Sequence, residues 1–247
     1  ARTAEDVALA LHAMAGASPR APLAQPVEGR DFAAAARGGM RRGARVAYCP
    51  DIAAIGIEKD VERVCRDAAF ALRDAGAAVE EVAFDLSFAR DAFLALRGEW
   101  FVAWMYDKLD RIEKFGVNVR NNTNAGLSGD PRALGAAHHA RGRVWEMFRQ
   151  HFSRFDYLVT PTMCVSPFPV EQNYPGTVAG REMKTYVDWL APTFLLSLAG
   201  LPVASVPAGL DDAGMPVGLQ VVGPPRGEEL VLALAATLQS LRPVPLR

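Results

Sequence analysis

Ser is never followed by Ser in these 247 residues, no Gly-Gly-Ser occurs, and only four of the 27 basic residues are lysines. The first two absences leave the chain without a Gly- and Ser-rich loop. Gly126-Leu127-Ser128-Gly129 comes nearest to one, yet it departs from the G-x-S-x-G pattern and reads as an ordinary loop. Lys59, Lys108, Lys114 and Lys184 all lie outside any Gly/Ser-rich context. Arginines scattered among acids leave a net charge of −1, which gives nucleic acid or an anionic membrane no electrostatic reason to bind. Cysteine is scarce too. Cys49, Cys65 and Cys164 are odd in number and contain no C-x-x-C, which disfavours a disulfide scaffold or zinc ribbon and fits a reducing compartment, the cytoplasm. No basic stretch followed by an apolar core opens the chain, so no signal peptide is visible.

One uncharged run, residues 189–210, is long enough to span a bilayer. Pro192, Pro202 and Pro207, with Gly200 and Gly209, interrupt it, and its second half reads as a buried strand. His138-His139 invites a metal reading, but adjacent helical residues point to different faces, and no acid or Cys stands at ligand spacing. His12 and His151 are isolated, and packed or solvent-facing histidines are expected at all four positions.

What is present is the alternation of an α/β protein. Thr3 can cap a helix whose apolar positions are Val7, Leu9, Ala10, Leu11 and Met14. The proline-rich stretch after it reads as an extended loop, within a linker over 18–43, and residues 44–247 form the α/β body. Residues 45–49 form a buried strand, 58–75 a helix stopped by Gly76, and 78–84 a second strand. That strand–helix–strand unit builds parallel sheets. Helices follow over 89–113 and 132–152, separated by an Asn- and Gly-rich loop with room for a short helix. A strand at 157–159 then aims at Thr160-Pro161-Thr162. Two further strands flank the turn Asp211-Asp212-Ala213-Gly214, and a last helix begins near Glu228. A mixed β-sheet covered by α-helices is expected.

Four segments carry more than pattern: DYLVTPT, PFPVEQNYPGTVAG, YVDW, and LAGLPVASVPAG with its partner PVGLQVVG. Together they closely resemble the C-terminal part of the amidase signature family, serine hydrolases of carboxamides. The opening ARTAEDVALALHAMAG resembles the stretch that follows that family's central signature. The resemblance implies that residues 1–247 are the incomplete C-terminal portion of a single amidase domain, with the catalytic Ser, its Ser relay and a neutral Lys lying outside the chain. It implies hydrolysis of a neutral carboxamide to carboxylate and ammonia or amine through a Ser acyl-enzyme, without metal or cofactor. The implied partners are a small-molecule amide, the missing N-terminal half and, in a homo-oligomer, a second copy, with no nucleic acid and no membrane. Thr162, Met163 and Cys164 border the active site in this reading, and Trp189 and Leu190 form an apolar pocket wall. Relatives that take glutamine place an acid where Leu190 stands and a base near Asn121-Asn122, so neutral residues there disfavour charged substrates. The alternatives are a glutaminase-type component of an amidotransferase complex and a non-catalytic binding module.

Overall fold

The computed structural model describes residues 1–243. Thr3 accepts the Asp6 N–H and opens helix α1 (Ala4–Met14), as expected from its sequence. The buried face of that helix is not the expected one. Ala4 and Ala8 face inward, whereas Val7, Leu9 and Met14 are exposed. Ala8 lies in a cluster with Phe32, Ala36 and Leu232, where methyl-sized side chains allow close approach. The expected linker over 18–43 also contains a helix, α2 (Phe32–Gly38), capped by Asp31 and anchored by the fully buried Phe32.

Strand β1 (Arg45–Tyr48), helix α3 (Lys59–Ala71) and strand β2 (Ala78–Glu81) form the expected parallel unit. Helix α4 (Arg90–Met105) runs into a 3-10 segment, Tyr106–Lys114. The Asn- and Gly-rich stretch, read chiefly as a loop, is instead largely an eleven-residue helix, α5 (Val117–Leu127), with the Gly126–Gly129 imitation of a nucleophile loop at its C-terminal end. Helix α6 (Pro131–Arg154) leads to strand β3 (Tyr157–Pro161), the short hairpin β4 (Thr177–Val178) and β5 (Arg181–Glu182), and helix α7 (Ala191–Ser197). Strands β6 (Val203–Leu210) and β7 (Pro216–Val222) form the expected hairpin, and helix α8 (Glu228–Leu241) follows. Among the described residues no helix is long and apolar enough to cross a membrane.

The main sheet has the order β2-β1-β3-β7-β6, parallel across its first three strands and antiparallel beyond β3. Alternation sorts its side chains onto two faces. Val46, Tyr48, Val159, Leu219 and Val221 pack under α3 and α8, while Ala47, Leu158 and Val222 pack under α6 and α7. The second face is covered only in part, for Val203, Ser205 and Pro207 on β6 remain exposed. Strand β6 pairs with β7 alone among the described residues.

His151 lies buried between α6 and the sheet, stacked on Phe155, with Nε2 3.3 Å from the Tyr157 carbonyl oxygen. His138 and His139 are exposed on α6, as is His12 on α1. Burial pushes the His151 pKa below its ordinary value of 6.5, so the folded chain holds the ring neutral while the unfolded chain takes a proton first. The stability this contributes is complete above the ordinary value and is lost as pH falls toward the depressed one. Thermal melts at about pH 7.5 and about pH 5.5 should therefore show a smaller acid-induced loss in His151→Phe than in the parent chain. Equal losses would mean that the ring accepts its proton in place.

Candidate functional site

The loops leaving the C-terminal ends of β1 and β3 meet beside the start of β7, and a cleft of about 420 Å3 opens there. Three distant segments supply its walls. Val61 comes from the first turn of α3, Val217 from β7, and Met163, Phe168, Trp189 and Leu190 from the excursion between β3 and α7. No charged side chain lines the cleft among the described residues. Phe168 meets Trp189 edge-to-face, with ring centroids 5.1 Å apart at 77°. Such a pair makes a stiff wall, because each ring fixes the other's rotamer.

The five residues expected at the site are distributed unevenly. Met163, Trp189 and Leu190 come together around the cleft. Leu190 also touches the core cluster beneath α7, so it stands at the boundary between cleft and interior. Cys164 is fully buried and does not line the cleft; its Sγ donates to the Trp189 carbonyl oxygen at 3.2 Å. Desolvation pushes its thiol up to about 12, so it stays protonated and serves as packing beneath the wall. Thr162 sits one step to the side. Its N–H donates to the Gly218 carbonyl oxygen at 2.9 Å, and its hydroxyl lies 2.8 Å from Ser205 Oγ. The two hydroxyls meet above Gly218, where a Cβ would come within 2.9 Å of Thr162 Oγ1 and 3.1 Å of Ser205 Oγ. A glycine at that place is what lets the pair form.

Sequence reasoning missed Val61, Phe168 and Val217. Phe168 stands in the quoted segment PFPVEQ, but nothing in local pattern says that its ring turns back toward Trp189. Asn121 and Asn122 lie on α5 rather than in a loop. Asn122 is engaged there by Tyr186 and Arg97, while Asn121 is exposed. Among the described residues no group of three or more His, Cys, Asp or Glu side chains could hold a metal ion.

The family model described as Amidase matches residues 1–232. An acylamidase of Rhodococcus erythropolis is 29% identical over 98% of this chain, and the match covers 51% of that protein. A glutamyl-tRNA(Gln) amidotransferase component of Granulibacter bethesdensis is 30% identical, over 97% of this chain and 52% of the relative. The solved structure of a bacterial aryl acylamidase of the amidase signature family superposes with a TM-score of 0.86 at 24% identity, covering 97% of this chain and 51% of that one. A 6-aminohexanoate cyclic dimer hydrolase gives 0.81 at 21% identity, over 99% and 54%. The chain thus spans about half the length of the relatives it matches. Its mixed sheet, helical layers and C-terminal hairpin are those of these neighbours, and it belongs to the amidase family.

Proposed function

We propose that this chain forms the substrate-pocket half of an amidase that hydrolyses a neutral carboxamide through a Ser acyl-enzyme, the nucleophile, relay and base being supplied by residues outside it. The observation that carries the reading is the uncharged cleft walled by Met163, Phe168, Trp189 and Leu190. An apolar or aryl acyl group gains by leaving water for such a wall, whereas a charged substrate end would be desolvated there without a partner. Thr162 and Ser205 add the polar element. Their mutual hydrogen bond uses one O–H and leaves the other free to donate to the ligand's carboxamide. The exposed flank of β6, with Val203, Ser205 and Pro207, is where the remaining half of a relative-length enzyme would join. Relatives that serve in amidotransferase complexes keep a glutaminase-type reading in view, but Leu190 and the engaged Asn122 offer no charge to hold glutamine's ends.

Leu190→Asp tests the reading in the enzyme-length protein. An unpaired carboxylate in an apolar wall costs on the order of 1–3 kcal/mol, so kcat/KM for an apolar anilide should fall roughly tenfold or more. Stability should fall only modestly, because Leu190 gives up its contact with the core cluster beneath α7 while the new charge hydrates through the open cleft. Unchanged kinetics would place Leu190 away from the acyl group, and the substrate reading would fall with it.

A further inference from the structure

The cleft wall is held in place by residues that do not line it. Trp189 and Leu190 follow Asp188 in a single 3-10 turn, Asp188–Leu190, joined to β5 by the irregular segment 183–187. Asp188 is the knot of this turn. Its Oδ2 accepts the N–H groups of Lys184 and Thr185, both at 2.9 Å, and its Oδ1 accepts from the Arg90 guanidinium on α4. Burial pushes the Asp188 carboxyl up, but Arg90 and the two N–H groups outweigh it and hold it ionised, below the usual carboxylate value. Seven residues along α4, on the same side of the helix, Arg97 makes a second attachment. Its guanidinium donates to Tyr186 Oη at 3.2 Å and to Asn122 Oδ1 at 3.0 Å, and Asn122 donates to Tyr186 Oη at 2.8 Å. The segment 184–188 is thus pinned twice to α4. Helix α4 is itself fixed by Phe93 stacked on Phe194 of α7, centroids 4.1 Å apart.

We infer that Arg90 and Asp188 are positioning residues for the cleft, clasping the 184–188 loop to α4 so that Trp189 and Leu190 face the ligand, with Arg97, Asn122 and Tyr186 as the second fastening. The inference rests on the reading of the cleft as an amide pocket only for its consequence on ligand affinity, not for the clasp itself. It makes α4, a helix outside the cleft, a determinant of which acyl groups fit. Removing the guanidinium leaves the Asp188 carboxylate with backbone donors alone, and the turn bearing both wall residues loses one of its two fastenings to α4.

The other three tryptophans, Trp100, Trp104 and Trp145, are 58%, 54% and 44% exposed, so replacing them with Phe leaves Trp189 as the sole reporter at little structural cost. In that background Arg90→Leu should shift Trp189 emission to the red and raise its quenching by acrylamide, with an unchanged far-UV spectrum. Arg90→Lys should restore most of both. Affinity for acetanilide, a neutral aryl amide read through Trp189 emission, should fall about tenfold in Arg90→Leu, as for a lost hydrogen bond between charged groups. Unmoved Trp189 emission and quenching in Arg90→Leu would overturn the clasp. A moved emission with unmoved acetanilide affinity supports the clasp and overturns the amide-pocket reading instead. Should Arg90→Leu fail to fold, Asp188→Asn carries the same test. It keeps an acceptor for the backbone N–H groups while removing the charge that holds Arg90, and a Trp189 signal identical to the parent's would again overturn the proposal.

Discussion

The purified 247-residue chain is expected to hydrolyse no amide, neither the anilides its cleft would fit nor glutamine. The hydroxyls near the cleft are Thr162, Ser166 and Ser205, and among the described residues none has a Lys or His as hydrogen-bond partner. Serine is a weak nucleophile until an adjacent base takes its proton. Lys59, Lys114 and Lys184 are exposed, and Lys108 rests its ammonium over the Trp104 ring on α4. His151 is buried against the sheet, tied to a backbone carbonyl. Among the described residues the nearest imitation of an oxyanion loop, Gly126–Gly129, ends a helix instead. Losing nucleophile, base and oxyanion donors together removes roughly six or more orders of magnitude from the rate. Product release from an anilide, followed by chromatography over days with and without a serine-directed inhibitor, is the measurement. Inhibitor-sensitive turnover by this chain would mean that its own residues assemble a catalytic centre.

The largest effect expected on stability comes from Gly126→Val. Helices α4 and α5 touch through glycines. A Cβ on Gly126 would overlap the Gly98 carbonyl oxygen and lie 2.8 Å from Val102 Cγ2. Backbone cannot step aside as a flexible side chain can, so α5 must move off α4. Overpacking of this kind costs about 1–3 kcal/mol, and a branched residue adds the strain of helix crowding. The shift carries Asn122 with it, so the fastening at Tyr186 should loosen as well. Gly142→Ala is the opposing control. Gly142 lies in α6 with nothing within 4 Å of its would-be Cβ, and alanine there should raise stability by about 1 kcal/mol. Thermal melts of the two variants should move in opposite directions. If Gly126→Val melts with the parent, the α4–α5 crossing is looser than its geometry indicates.

Those two glycines also mark where the amino-acid sequence is readable. The parallel unit β1-α3-β2 and the hairpin β6-β7 are written locally, in a helical stripe from Val61 to Leu72 and in a turn at Asp211–Gly214. The helix α5 is not. Asn and Gly are poor helix formers, and VNVRNNTNAGL becomes helical because Gly126 admits α4, Thr123 Oγ1 donates to the Val119 carbonyl oxygen, and Asn122 finds Tyr186. Helix α2 was hidden in the same way, its short run of alanines given meaning only by Phe32 reaching α8. For α1 the helix was legible and its face was not, since the alanines proved to be the contact. The cleft shows the same division. Trp189 and Leu190 were legible through resemblance, whereas Val61 and Val217 join them only because the fold brings α3 and β7 to the same end of the sheet.

The first forty residues lie mainly on the last helix. The Ala4 N–H donates to Gln239 Oε1 at 2.7 Å, Gln239 Nε2 donates to the Arg2 carbonyl oxygen at 3.0 Å, and the Met40 N–H donates to Thr237 Oγ1 at 2.8 Å. Arg30 pairs with Glu228 and Glu229 at the start of α8. During synthesis these residues emerge well ahead of their partner α8. At the pace of a ribosome, about 5–20 residues per second, residues 1–40 wait on the order of ten seconds or more with Phe32 uncovered. A chaperone binding short apolar segments would find its opening there, and the interval closes only when α8 leaves the ribosome.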